Sequence, residues 1–345
     1  MPPGGEAWSL RLGGEGSEEM EGLWALPDGG MVVSGSSDSF RDPAGEAWVV
    51  RLDREGHILW QKTYGGPGDE SLLDVHPMAD GGFAAVGYTA SFGAGGQDVW
   101  VVQLDAAGDI QWQKTYGGPQ DEQAWSVDIT PEGDLLVAGG TASFGAGKTD
   151  YWVLKLTPEG EVRWARTYGG PGEDGGGGDY DERVVKALVD REGRYLVASV
   201  SSSFGEDEED TDLWVLRLAP DGRVLWQRAF GGVYEEEMFG FALLANGDVL
   251  LPGHTDSFSP DLSGDVWVVR LRLDGTVVWQ KVYALPQVWV GALAATGTQD
   301  NGAVIAAYVE EGDDWDWLLF RLDAEGNLGW QTRFEGGWDW PNAVR

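Results

Sequence analysis

Five glutamates recur at equivalent places along this 345-residue chain: Glu18, Glu70, Glu122, Glu182 and Glu236. Acids gathered around one axis focus a negative potential, and such a ring suits a cation or a basic peptide. The same residues also suit a plainer task, an Asp/Glu pair closing a tight turn by accepting backbone N–H groups. The sixth and seventh places of the series fall on Trp289 and Trp340. A second series, Glu46, Asp98, Asp150, Asp212, Asp265 and Asp316, is acidic in every copy. A residue required once per repeat is expected to be structural, holding loop N–H groups. The run Gly172-Glu-Asp-Gly-Gly-Gly-Gly-Asp-Tyr-Asp-Glu182 puts alternating oxygen ligands at Asp179 and Asp181. These are the calcium candidates, although the spacing is not that of an EF-hand, and a solvated acidic loop is the alternative.

Tryptophan is the other chemistry-bearing residue. Of the 19, seven fall off the repeat (Trp24, Trp125, Trp289, Trp315, Trp317, Trp338 and Trp340), and five of those follow residue 288. Flat aromatic faces stack on sugars and anchor protein interfaces. Trp289, Trp315, Trp338 and Trp340 therefore join the five glutamates as candidate ligand contacts; the competing reading is a degenerate last repeat that fills its core with indole. His57, His76 and His254 occupy different repeat positions. No nucleophile elbow, P-loop or dinucleotide fingerprint is present, since the glycine-rich strings follow the repeat period and read as turns. No catalytic residue is assigned and no cofactor beyond calcium is expected. A carboxylate pair for glycoside cleavage stays open, because acids are abundant and their separation depends on the fold.

Composition narrows the partners. With 58 acidic and 23 basic residues the net charge is −35. Such a surface repels nucleic-acid phosphates and anionic lipid. Protein or glycan ligands remain, basic proteins among them; the charge also serves solubility. There is no cysteine, which removes disulfides, thiolate catalysis and Cys-based metal sites. No apolar run approaches the ~20 residues of a membrane span. Met1-Pro-Pro-Gly-Gly5 has neither the basic nor the apolar region of a signal peptide. Oligomeric state has no signature in the sequence.

The elements that must position these residues are written as a tandem repeat. Trp60-Gln-Lys-Thr-Tyr-Gly-Gly-Pro67 is copied at Trp112–Pro119. Tryptophan returns at 8, 60, 112, 164, 226, 279 and 330, with spacings of 52, 52, 52, 62, 53 and 51. A second series is Trp48, Trp100, Trp152, Trp214 and Trp267, with Leu318 in sixth place, and Thr-Ala-Ser-Phe-Gly-Ala-Gly occurs at 89–95 and 141–147. Period-2 alternation and Gly/Asp punctuation give four short strands per repeat. Glycine closes each turn between third and fourth strands, at Gly56, Gly108, Gly160, Gly222, Gly275 and Gly326, as a hairpin with φ > 0 requires. Four strands per ~50 residues predicts a propeller blade.

The strand ending in Gly-Gly (Leu135–Gly140), then Asp150-Tyr-Trp-Val-Leu-Lys-Leu156, then Trp164, resembles the kelch blade. The fuller phrase, W-x-K-T-Y-G-G, D-G-G-[FY], S-F-G-x-G and D-x-W, is similar to tandem propeller repeats of bacterial exported and surface proteins and covers residues 8–334. The resemblance implies the architecture and an extracellular or periplasmic place, with the cytoplasm as the alternative for a chain lacking a leader.

The expectation is an all-β chain forming a single propeller domain, with complete repeats at 8–59, 60–111, 112–163, 164–225, 226–278 and 279–330 and a closing segment at 331–345. Six four-stranded blades use every complete repeat and leave one strand over, at Trp8, to lie against the last blade. Seven would need a blade lacking its middle strands. The expected function is a non-catalytic scaffold binding a ligand or protein through the face that carries the four-to-one and two-to-three loops, here called the top. A glycan hydrolase or lyase with carboxylates in an axial pocket is the second reading, and a structural spacer the third.

Overall fold

In Asp98–Leu104, Val99 and Val101 point to one side while Trp100, Val102 and Leu104 point to the other, and both sides are buried. A strand apolar on both faces needs cover on both. Fourth strands such as Ile110–Tyr116 interleave Gln, Lys and Thr with their aromatics and are half to fully exposed. Each repeat therefore grades from a dry interior to a wet rim along the direction of its hydrogen bonds.

The computed structural model describes residues 10, 12–40, 46–175, 185–204, 211–238, 240–259, 264–285, 288–312 and 314–334. It is all-β, with six antiparallel sheets whose strands pair in chain order. The sheets span 18–64, 70–116, 122–168, 186–230, 236–283 and 289–334. In the fifth, the inner strand is broken into Glu236–Met238 and Ala242–Leu243, both paired to Val249–Thr255. The six innermost strands line one axial cavity of about 610 Å³, counted out into its solvent mouth. The chain is a six-bladed β-propeller. Each Trp-to-Trp repeat is offset from the blades, opening on the fourth strand of one sheet and closing after the third strand of the next.

Apolar clusters fill the seams between successive blades. Ala47 and Val49 of blade one, for instance, meet Leu72, Val75, Trp100, Val102 and Leu104 of blade two. The third-strand tryptophan is held from above by the phenylalanine of the Ser-Phe phrase. Phe92 lies 6.4 Å from Trp100, Phe144 5.5 Å from Trp152, Phe204 4.6 Å from Trp214 and Phe258 5.4 Å from Trp267, all tilted.

The repeated fourth-strand tryptophan is a clasp. Trp60, Trp112, Trp164, Trp226 and Trp279 donate their indole N–H to Ala106, Pro158, Pro220, Leu273 and Ala324, carbonyls at the three-to-four turn of the next blade, at 3.0–3.1 Å. Four residues on, the hydroxyls of Tyr64, Tyr116, Tyr168 and Tyr283 donate to Gly108, Gly160, Gly222 and Gly326 of the same turns. Burial raises these phenols, Tyr116 to about 12, so they remain donors across the physiological range.

Candidate functional site

At the head of blade three, Glu122 is buried with both oxygens engaged. Its Oε1 accepts from Thr141 Oγ1 at 2.8 Å and Ser143 N at 3.0 Å, and its Oε2 accepts from Gly118 N at 2.6 Å. Glu70 repeats this with Thr89, Ser91 and Gly66. Glu236 does so with Thr255 and Gly232, and Glu18, half-buried, with Ser37 and Gly14. The Gly-Gly turn and the Thr-x-Ser phrase are therefore two halves of one motif, joined through a carboxylate.

Blades four and six depart from that pattern. Glu182, with Asp179 and Asp181, lies outside the described residues. Asp174 heads blade four instead, bridging to Ser201 in register and accepting from Gly170 N at 2.6 Å and Ser203 Oγ at 2.7 Å. The innermost strand of this blade is described over Lys186–Val189. In blade six the register equivalent is Val290, because Val290 pairs with Val309 as Glu70 pairs with Thr89. Trp289 stands one residue earlier. Trp338 and Trp340 lie outside the described residues.

The second acidic series approaches the first across each seam. Asp98 Oδ2 accepts from Ala94 N at 2.9 Å, and Asp150 Oδ2 from Ala146 N at 2.8 Å. Their other oxygens face the next blade. A methyl group on Gly117 would stand 2.0 Å from Asp98 Oδ1 and 2.7 Å from Glu122 Oε2. Gly169 is bracketed likewise by Asp150 and Asp174, and Gly231 by Asp212 and Glu236. Only glycine leaves room for two carboxylates there. Burial raises Asp98 and Asp150, and the acids facing them, Glu122 and Asp174, push in the same direction.

The axial cavity holds side chains that the repeat does not demand. A bulge on the first strands re-aims this stretch in blades one, two, three and six. Asp74 Oδ2 accepts from Val127 N of blade three at 3.0 Å, and Asp128 Oδ2 from Val189 N of blade four at 2.7 Å. Ser126 Oγ lies 3.1 Å from Ala187 N, and Lys186 Nζ donates to Trp125 O at 3.1 Å. His76 joins them, with Nε2 3.2 Å from Asp128 and its ring 4.0 Å from that of Trp24. These polar groups stitch neighbouring inner strands together. Blades five and six contribute Gly240, Phe241, Leu293 and Ala294, an apolar stretch of the wall, while blade one brings Glu21 and Trp24.

On top of blade six the off-repeat aromatics converge. Trp289 lies 5.6 Å from Tyr308, which lies 5.4 Å from Trp315. Trp289, Glu310 and Trp315 are directly paired across three strands, and Trp317 pairs with Tyr308. All three tryptophans are half-buried. His254 of blade five meets Trp289 edge-on at 4.6 Å, and its Nε2 lies 3.0 Å from Asp256 Oδ1. Burial works against a charge on His254, yet Asp256 and Glu237 outweigh it and the pKa is raised. The sequence singled out Trp289 and Trp315; Tyr308 and His254 complete the row. Among the described residues no three acidic or histidine side chains are placed to hold a metal ion, and no helix is long and apolar enough to cross a membrane.

No known family model matches the chain. The regulatory protein FlaEY of Caulobacter vibrioides is 28% identical over 164 residues, 41% of this chain and 17% of that much longer protein. The WD40 domain of Neurospora crassa Pan2 superposes with a TM-score of 0.51 at 13% identity, over 89% of this chain and 82% of the domain. A puromycin hydrolase gives 0.56 at 16% identity over 95% of this chain and 49% of the enzyme. An apocarotenoid oxygenase from Synechocystis gives 0.53 at 12% over 94% and 73%. At such identities the likeness is one of fold.

Proposed function

We propose that this propeller is a non-catalytic binding scaffold whose ligand, a protein or a glycan, docks on the top of blade six. The observation that carries the reading is the contiguous row in which half-buried Trp289 and Trp315 flank the buried ring of Tyr308, none of which the repeat requires. A repeat position explains itself by symmetry; an aromatic row confined to one blade does not. Rigid aromatics give contact area at low entropic cost, and they serve sugar rings and protein hot spots alike. The likeness to a WD40 domain and the partial match to a regulatory protein support an interaction role. The axial acids favour binding over catalysis, because Asp74 and Asp128 spend oxygens on backbone N–H groups of adjacent blades. For a surface this acidic, a protein ligand is expected to present basic residues to it. An extracellular or periplasmic setting is part of the proposal and rests on the repeat phrase alone.

The test is a glycan array and a pull-down run in parallel on the wild type and a Trp289→Ala, Trp315→Ala variant. Binding lost in a still-folded variant supports the site, and the arm that responds names the ligand class. Binding retained in full by the variant sinks it.

A further inference from the structure

Where the chain enters a blade at the top, the turn is built alike in blades one to five. The backbone N–H of Gly16, Gly68, Gln120, Gly172 and Tyr234 donates to the hydroxyl of Ser39, Ser91, Ser143, Ser203 and Ser257 respectively, at 2.7–3.0 Å. The tips of the first four turns are Glu15-Gly16, Pro67-Gly68, Pro119-Gln120 and Pro171-Gly172. The turn into blade five carries Val233-Tyr234 instead. Four turns keep the same backbone bond without these side chains, so the repeat does not require them.

Val233 is 61% exposed, more than any other large apolar side chain among the described residues, and Tyr234 is 48% exposed. Phe258, 41% exposed, reaches the same turn: a methyl group on Gly232 would stand 3.6 Å from its ring tip. Exposed apolar side chains scattered singly are ordinary, whereas a group of them rimmed by polar residues marks an interaction surface. A series of contacts ties this patch to the aromatic row of blade six. Asp256 N donates to Glu235 O at 3.1 Å, Asp256 Oδ1 lies 3.0 Å from His254 Nε2, and the His254 ring meets that of Trp289. Acids accompany the path. Glu235 is exposed, and Glu237, Asp256 and Glu310 are half-buried. Glu237 pairs with His254, and Glu310 stands between Trp289 and Trp315. Even with His254 protonated, these are four carboxylates to one cation.

We infer that Val233, Tyr234 and Phe258 form the far end of the docking face that begins on blade six, and that its occupant is a protein segment with an apolar anchor beside Lys or Arg. The inference rests on the reading of blade six as a binding site and adds a second blade and the class of partner. A sugar ring stacks on aromatic faces and turns its hydroxyls to polar groups, and an exposed isopropyl group serves neither. A protein segment uses both parts of the face. Its apolar side chain covers Val233 and Tyr234, and its cations meet the acids between the two blades.

The repeat supplies the test variant. Val233→Pro, Tyr234→Gly restores the tip found in blades two and four and keeps the bond to Ser257, which uses the backbone. Random linear peptides displayed on phage are selected on the immobilised full-length protein. The enriched peptides are then titrated against the wild type, this reversion and the Trp289→Ala, Trp315→Ala variant. They should combine an aliphatic or aromatic residue with Lys or Arg, and each folded variant should bind them at least about tenfold more weakly. Full binding by the reversion, with loss in the tryptophan variant, would overturn the inference and leave the blade-six reading intact. Full binding by the tryptophan variant would sink both. Absence of enriched peptides, or enrichment of acidic ones, would overturn the protein occupant, and a glycan lost only by the tryptophan variant would then keep the blade-six reading standing.

Discussion

Each head-of-blade carboxylate gathers donors that would otherwise be left buried and unsatisfied. Removing Glu122 strands Gly118 N, Ser143 N and the Thr141 hydroxyl together, so Glu122→Ala is expected to cost about 3–5 kcal/mol, read by denaturant unfolding. The facing aspartates act in the opposite sense. Burial, then the charge of Glu122, holds Asp98 above its usual 3.8. A raised carboxyl contributes stability in full below that unfolded value and loses it as pH rises through the folded one. Asn is a permanent copy of the neutral acid, so Asp98→Asn should melt higher than the wild type at about pH 8. The gap should close by about pH 4, and a constant gap across that range would show that the pair is not what titrates. Asp300 runs the other way. The Thr298 hydroxyl and Arg321 hold it down to about 2, so its exposed contribution is present above 3.8 and fades only as pH falls through about 2.

Among elements, the outer strand works through two side chains, the clasp tryptophan and the tyrosine four residues on. Trp112→Phe keeps most of the packing and loses the bond to Pro158 O, for about 1 kcal/mol. Trp112→Ala also opens a cavity against blade three, and about 3–5 kcal/mol is expected from the same unfolding measurement. This much of the architecture was legible in the sequence, because a propeller states its contacts six times and Trp60, Trp112 and Trp164 fall 52 residues apart. What escaped had no local signal. Glutamate spacing selects Glu182 for blade four, a residue outside those described, whereas the contacts of the series are made there by Asp174, eight residues earlier in the chain. Trp289 misses its expected register because the link from Tyr283 is one residue longer than that from Tyr64 or Tyr116. The bond from Val127 N to Asp74 spans 53 residues and depends on a bulge. Clustering of Trp289 and Trp315 was expected only as a surplus of tryptophan, since the intervening Tyr308 looks like any other strand aromatic.

At the scale of the whole ring, stability is not expected to be uniform. The seam between blades six and one has the half-buried aromatics, so amides of Leu328–Phe334 should exchange with solvent faster than those of the equivalent strand Ile110–Tyr116, by hydrogen-exchange mass spectrometry. Equal protection of the two strands would mean a seam as tight as the rest. The ends of the blades differ electrically as well. At the lower turns, cations of the third strands meet acids: Arg51 with Asp28, Lys155 with Asp134, Arg217 with Asp190, Arg270 with Asp248 and Arg321 with Asp300. At the upper rim, Glu70, Glu122 and Glu236 of blades two, three and five are met by hydroxyls and N–H groups, which carry no compensating full charge. A disc so arranged is expected to carry a dipole along its axis, and it should settle on a positively charged bead or electrode with the aromatic row turned toward the support and the hairpin turns turned to the solution.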